Sequence, residues 1–241
     1  MKPILILKTG STYPEIADRF GDFDTMMIRA MTVDPADTVV VDVTRGLPLP
    51  APVSVSGAVI TGSHAMVTDG HGWIDTAAVW IQSAVASAIP LLGICFGHQI
   101  LAHAMGGRVG DNRGRERMGS VDISLTAAGK TDPLLSRLPD LFPAHVSHDQ
   151  SVLELPPAAI LLATGENEPH HAFRIGANAW GLQFHPEFTP DIMRSYLEIR
   201  RESFTGKGWD VGQIEDSLRE TPRARKIMAA FAALIKADEQ P

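Results

Sequence analysis

The chain holds one cysteine, and its neighbours are those a nucleophile needs. In Leu91-Leu92-Gly93-Ile94-Cys95-Phe96-Gly97-His98-Gln99-Ile100 an apolar run stops at Cys95 and a helical pattern begins at once. Glycines stand two residues before and two after it. That bracket suits a tight strand-to-helix turn lifting the side chain above the end of a sheet. A helix opening at Phe96 offers a thiolate unpaired N–H groups and the positive end of a dipole. The Phe96 N–H can point at a developing oxyanion. Without that setting, a lone cysteine is as readily an inert buried side chain.

A thiol nucleophile requires a base that takes its proton and later protonates the leaving amine. Among nine histidines, His185 stands out in Trp180-Gly181-Leu182-Gln183-Phe184-His185-Pro186-Glu187-Phe188, at the end of a strand-like run. Such strand ends deliver side chains to the crevice of an α/β sheet. The two-residue spacing predicts Glu187 on the same face of an extended chain, with its carboxylate on the other ring nitrogen. Cys95, His185 and Glu187 then form nucleophile, base and orienter. On local pattern alone, His185 and Glu187 fit an exposed turn before a helix equally well.

The remaining histidines do not read as metal ligands. His98 and His103 are five apart, His170 and His171 are adjacent, and His64 and His71 lie in a glycine-containing loop. No HExxH pattern and no GxxxxGK[ST] phosphate loop occurs, so neither a metal nor another cofactor is expected.

The elements that must position these groups alternate. Ile4 to Leu7, Val39 to Val43, Ala58 to Ile60 and Leu91 to Ile94 are apolar at nearly every position, as strands buried on both faces are. Trp73 to Ala88 has helical spacing, with Trp73, Ala77, Trp80, Ile81, Ala84 and Val85 on one stripe. This alternation predicts a doubly wound, mostly parallel α/β sheet with helices on both faces. The second half adds closely spaced strands at Val121 to Leu125, Ala144 to Ser147, Val152 to Leu155, Ile160 to Ala163, His171 to Ile175 and Ala179 to Phe184, a small antiparallel region. Helices follow at Asp191 to Phe204 and Pro222 to Lys236, the latter with Thr221 as N-cap. Gly106-Gly107 reads as the end of the nucleophile helix. One domain is expected over residues 1–241, with a core at about 4–200 and a helical C-terminal tail at about 205–241.

The Gly-Ile-Cys-Phe-Gly-His-Gln string resembles the G-[IV]-C-x-G-x-Q signature of class I, triad-type glutamine amidotransferases. Phe-His-Pro-Glu, about 90 residues on, resembles that family's second signature. The resemblance covers roughly Leu5 to Tyr196 and implies a flavodoxin-like fold and attack of Cys95 on a γ-glutamyl amide. It implies a second oxyanion N–H from Gly62, with Ser63 beside it, although Thr61-Gly62-Ser63 departs from the common Gly-Gly-Pro and also fits a plain strand-end turn. It implies substrate binding by Gln99, Ser147 and His148. By local pattern, Gln99 could equally be solvated or bonded to backbone, and His148 could be an ordinary strand-end residue.

Within the family the texture is most similar to the glutaminase domain of GMP synthase. The Ser-Gly-Gly-Val-Asp-Ser-type ATP pyrophosphatase loop that accompanies that domain is not found in these 241 residues. The resemblance therefore implies a glutaminase serving a separate synthetase subunit, or a stand-alone γ-glutamyl peptidase or hydrolase. A non-catalytic ligand sensor of the same fold is the alternative from another class, and the intact His185-Pro186-Glu187 argues against it.

Bulk properties agree. A net charge of −7 without a long basic run argues against nucleic acid as partner. The clusters Arg113 to Arg117 and Arg219 to Lys226 suit solvated faces, the first alternatively an anionic substrate. No apolar stretch approaches the roughly 20 residues that span a bilayer, and one cysteine allows no internal disulfide. A cytoplasmic protein without membrane contact is expected.

Overall fold

The computed structural model describes residues 2–112 and 117–238, and the side chains of the 113–117 basic cluster lie outside it. The first half gives β1 (Ile4–Lys8), α1 (Pro14–Phe20), α2 (Phe23–Met31), β2 (Thr38–Asp42), β3 (Gly57–Ile60), α3 (Gly72–Ala86), β4 (Leu91–Ile94) and α4 (Phe96–Ala104). The second gives β5 (Arg108–Asp111), β6 (Arg117–Leu125), β7 (Leu141–His148), β8 (Gln150–Glu154), β9 (Ala159–Thr164), β10 (Ala172–Ile175) and β11 (Ala179–Leu182). It closes with α5 (Pro190–Ile199), α6 (Arg201–Gly206), α7 (Val211–Asp216) and α8 (Pro222–Asp238).

Among the described residues the main sheet runs β2-β1-β3-β4-β11-β10-β9-β6-β7. The first five are parallel neighbours, in the 2-1-3-4-5 order of a doubly wound sheet with β11 as the fifth strand. From β11 outward the sheet continues antiparallel, and β5 pairs with β8 in a separate two-stranded antiparallel sheet.

In β1, β3 and β4 the apolar residues at nearly every position are explained by two covered faces, whereas β2, expected to be buried too, lies at the sheet edge and leaves Val40 exposed. Ile4 and Ile6 of β1 point into one core with Met27 and Met31 of α2 and Ile227, Phe231 and Ile235 of α8. Leu5 and Leu7 point into the other, with Trp80 and Ile81 of α3 and Ile100 and Leu101 of α4, as the two-residue period of a strand requires. A third cluster joins Ile16 of α1 to Phe188, Ile192, Tyr196 and Phe204. Among the described residues no helix is long and apolar enough to cross a membrane.

Three local outcomes differ from the sequence pattern. The helix expected over Asp191 to Phe204 is broken at Arg200, which caps α5 with φ −94° and ψ 6° before α6 resumes. Thr221 precedes α8, but its hydroxyl is buried with no hydrogen-bond partner among the described residues, so it caps through its carbonyl to Arg225 N–H alone. The helical tail is also part of the core: Phe231 is fully buried and meets Trp180 edge-on, ring centres 6.2 Å apart. Phe231→Ala is expected to cost about 3–5 kcal/mol, read as a lower midpoint in denaturant unfolding. An unchanged midpoint would show α8 to be dispensable to the fold.

Candidate active site

Cys95 sits between β4 and α4 with φ 54° and ψ −102°, a backbone conformation L-residues rarely adopt. The flanking glycines make that turn feasible. A methyl group at Gly93 would lie 2.3 Å from the Gly97 carbonyl oxygen, and one at Gly97 would lie 2.4 Å from that of Ile60. Both clashes are with backbone, so no side chain can give way.

His185 follows β11, the strand beside β4, and its N–H is held by the His145 carbonyl at 2.8 Å. The ring lies flat against Phe188, centres 4.1 Å apart and planes 9° apart, and Phe188 in turn stacks on Tyr196. Tyr196 is hydrogen-bonded to Thr12, and burial raises its hydroxyl pKa. Nδ1 of His185 meets Glu187 Oε1 at 2.7 Å, both side chains being almost wholly buried. The contact is the one the spacing suggested, but the chain turns at Pro186-Glu187 instead of staying extended.

Burial by itself would push the His185 imidazole toward its neutral form. The Glu187 carboxylate, and after it the charge and hydrogen bond of Cys95, outweigh burial and raise its pKa above the ordinary 6.5. Opposite charges on either side of a buried ring favour imidazolium. The second carboxylate oxygen of Glu187 has no hydrogen-bond partner among the described residues.

A cavity of about 130 Å³ opens beside the sulfur, and Ser63, Cys95, Phe96, Gln99, Ser147 and His148 all line it. Gly62 does not line it. A methyl group there would stand 3.4 Å from His185 Cε1, and its carbonyl accepts from the hydroxyls of Thr9 (3.1 Å) and Thr61 (3.0 Å). The Ser147 carbonyl accepts from the Cys95 thiol at 3.6 Å. His148 donates from Nδ1 to the Gln150 carbonyl at 3.0 Å. Gln99 spends both amide hydrogens inside the protein, on the Gln150 carbonyl (2.6 Å) and Gln183 Oε1 (3.0 Å), leaving only its own oxygen for a substrate.

Several cavity residues carry no sequence motif. Arg200 and Asp149 line it as a loose ion pair, 3.7 Å apart. Tyr13 and His64 line it too. His64 lies against the rings of Tyr13, Phe23 and Tyr196, and burial, then the Arg200 charge, lowers its pKa. Gln183 reaches the sulfur itself. By contrast His98, inside the nucleophile motif, is a core residue packed on Phe173, and burial drives its pKa down to about 3. Among the described residues no group of three or more His, Cys, Asp or Glu is placed to hold a metal ion.

With this geometry in hand, the comparisons with known proteins agree with one another. The family model described as "Glutamine amidotransferase class-I" matches residues 18–200. Over 102 residues, 42% of this chain, the sequence is 39% identical to GMP synthase [glutamine-hydrolyzing] of Thermosipho melanesiensis, and the match covers 19% of that protein. It is 30% identical over 158 residues to GMP synthase [glutamine-hydrolyzing] of Aquifex aeolicus, covering 60% of this chain and 29% of that one. The chain thus spans about a fifth of the length of the first GMP synthases it matches. A solved glutamine amidotransferase from Thermotoga maritima superposes with a TM-score of 0.74 at 21% identity, covering all of both chains. One from Methylobacillus flagellatus gives 0.75 at 22% identity, over 100% of this chain and 96% of that one. At such identities these two structures speak for the fold.

Proposed function

The chain belongs to the class I glutamine amidotransferase family, and from that premise we propose that it hydrolyses a γ-glutamyl amide through a thioester on Cys95. The observation carrying this reading is a strained cysteine elbow at a cavity, with a buried His185–Glu187 pair next to the sulfur. Glutamine is the first substrate to consider, since the relatives sharing this stretch are named glutamine-hydrolyzing.

In this reading the Cys95 thiolate attacks the γ-carbonyl carbon, forming the C–S bond. The oxyanion is met by the Phe96 N–H and by the Gly62–Ser63 peptide. In a trans peptide C=O and N–H point opposite ways. Anchoring the Gly62 carbonyl on Thr9 and Thr61 therefore turns the Ser63 N–H the other way, and Ser63 is the residue of the pair that lines the cavity. Each such donor is typically worth about 3 kcal/mol in the transition state. His185 gives its proton to the departing nitrogen as the C–N bond breaks. A water deprotonated by His185 then displaces sulfur, releasing glutamate.

Arg200 and Asp149 complement the α-carboxylate and α-ammonium of a γ-glutamyl group. The Asp149 contacts, 3.7 Å to Arg200 and 4.0 Å to Lys207, are both beyond direct hydrogen-bond length and so can be exchanged for a substrate. Arg200→Gln is expected to raise KM for glutamine about tenfold or more with kcat nearly unchanged. Hydrolysis of 4-aminobutanamide, which lacks the α-carboxylate, should not respond. Equal loss on both substrates would remove Arg200 from recognition.

The reading itself is tested by incubating the purified protein with L-glutamine and with γ-glutamyl dipeptides, and by measuring glutamate together with ammonia or the released amino acid. Glutamate with equimolar ammonia from glutamine is expected, the ammonia then being available to a separate synthetase. Faster release from the dipeptides would make the chain a γ-glutamyl peptidase. No glutamate from either, together with no labelling of Cys95 by a γ-diazoketone analogue of glutamine, would overturn the enzymatic reading.

A further inference from the structure

Behind the sulfur lies a chain of three glutamines whose orientation can be deduced from one atom. The Gln150 main-chain oxygen can only accept, so the Gln99 atom 2.6 Å from it is the amide nitrogen. That nitrogen also stands 3.0 Å from one end of the Gln183 amide, which must therefore be Oε1. The other end of Gln183, the NH2 group, is then compelled to face Cys95 Sγ, at 3.7 Å. Gln183 is fully buried and its own N–H is held by the His171 carbonyl at 2.9 Å, so the side chain starts from a fixed backbone. Flipping Gln99 would set its oxygen against the Gln150 carbonyl and Gln183 Oε1, and flipping Gln183 would set its NH2 against that of Gln99 and its oxygen against the sulfur.

We infer that Gln183 is a thiolate-binding residue of this site, and that Gln99 and the Gln150 carbonyl act as positioning groups that aim its N–H at the sulfur. The inference rests on Cys95 as the reacting group. It differs from the family-based assignment in giving Gln99 a task directed at Gln183 as well as at substrate. The sulfur sits between opposed partners. The Ser147 carbonyl at 3.6 Å receives a thiol proton and repels a thiolate, whereas an amide N–H binds a thiolate far better than a thiol. Of the two, Gln183 is the partner suited to the charged form. A hydrophobic residue of the same length would fill the space but offer the sulfur no N–H.

Because Cys95 is the only cysteine, its alkylation by iodoacetamide reports one group, without substrate or turnover. Gln183→Met keeps the length of the side chain and removes the donor. The alkylation rate at about pH 7 is expected to fall roughly tenfold. At about pH 10, well above the ordinary thiol value of about 8.5, it should return to within about twofold of wild type. Loss of mere packing would not produce that pH dependence. Gln183→Glu, nearly isosteric, should slow the reaction at neutral pH still more by setting an oxygen against the sulfur. It carries the same test should Gln183→Met fail to fold. Gln99→Met should give a smaller change in the same direction, since Gln183 then loses the partner that fixes its amide. Superimposed pH profiles for wild type and the folded Gln183 variants would overturn the inference, even if glutamine is hydrolysed. A shifted profile in a protein that hydrolyses no γ-glutamyl substrate would uphold it while sinking the proposed reaction.

Discussion

Cys95→Ala is expected to lower γ-glutamyl hydrolysis by about 10⁵-fold or more, since removing the nucleophile of a comparable triad costs about that much. His185→Asn should fall to the same floor, and the double variant no further, because nucleophile and base act as one unit. Activity loss alone does not separate a missing nucleophile from a damaged fold, but the backbone offers an independent check. With φ 54° and ψ −102°, residue 95 occupies a region that charges any side chain roughly 1–3 kcal/mol. Elsewhere glycine is usually the less stable choice, because it has more freedom to lose on folding. At position 95 the order should reverse, with Cys95→Gly unfolding at higher denaturant than Cys95→Ala, by about 1 kcal/mol. Both variants lack the sulfur, so its packing cancels in the comparison. An inactive enzyme that is more stable as glycine than as alanine is what a strained elbow held for chemistry predicts. If alanine proves as stable as glycine, the strain is absent and the elbow geometry is wrong. If Cys95→Ala retains hydrolysis, the thioester is excluded.

The parts of this site legible in the sequence are those set by short-range sterics. Gly93 and Gly97 stand where backbone atoms approach to 2.3 and 2.4 Å of a virtual methyl group, a requirement that only one residue type meets. The buried parallel strands β1, β3 and β4 were equally plain, because faces covered on both sides admit few polar residues, whereas β2 shares their apolar pattern yet lies half-exposed at the sheet edge. What stayed hidden depends on pairing. That β11 lies beside β4 brings Gln183 to Cys95 across 88 positions, β8 in its separate sheet with β5 brings Gln150 to Gln99 across 51, and no local pattern encodes either meeting. Arg200 looks like an interior position of an ordinary amphipathic helix, yet the structure breaks that helix at Arg200 and places the residue at the cavity. α1 and α2, only 7 and 9 residues long, are too brief for a periodic signal and show themselves only by packing. Motif neighbourhood also misleads: His98 lies three residues from the nucleophile yet belongs to the core beneath it, and the carboxylate of Glu187 reaches His185 around a turn instead of along a strand.

Glu187→Gln is expected to reduce kcat by about 10³–10⁴-fold with KM little changed, the scale seen when an orienting carboxylate becomes an amide. Two losses combine. The amide can present N–H to Nδ1 and so select the wrong tautomer, and the negative charge holding the imidazolium is gone. The second loss has a signature in stability. In the wild type the folded-state pKa of His185 is raised, so the pair's contribution is fully present below the unfolded value of 6.5 and is lost as pH rises through the folded value. Without the carboxylate, the largest influence left on the ring is burial, which lowers its pKa. The variant should then favour neutral imidazole and lose stability as pH falls. Unfolding free energies of the two proteins, followed from about pH 9 down to about pH 6, should therefore diverge on acidification, with the wild type gaining on the variant. The buried, unpaired Oε2 sharpens the test, because an amide nitrogen at that place would also be left without an acceptor among the described residues. That cost is independent of pH and offsets the two curves without changing their slopes. Parallel curves would mean that the ring is neutral in both proteins. The 2.7 Å contact would then be a neutral hydrogen bond that orients the base without charging it, and catalysis would have to begin from a thiol whose proton His185 removes during the attack.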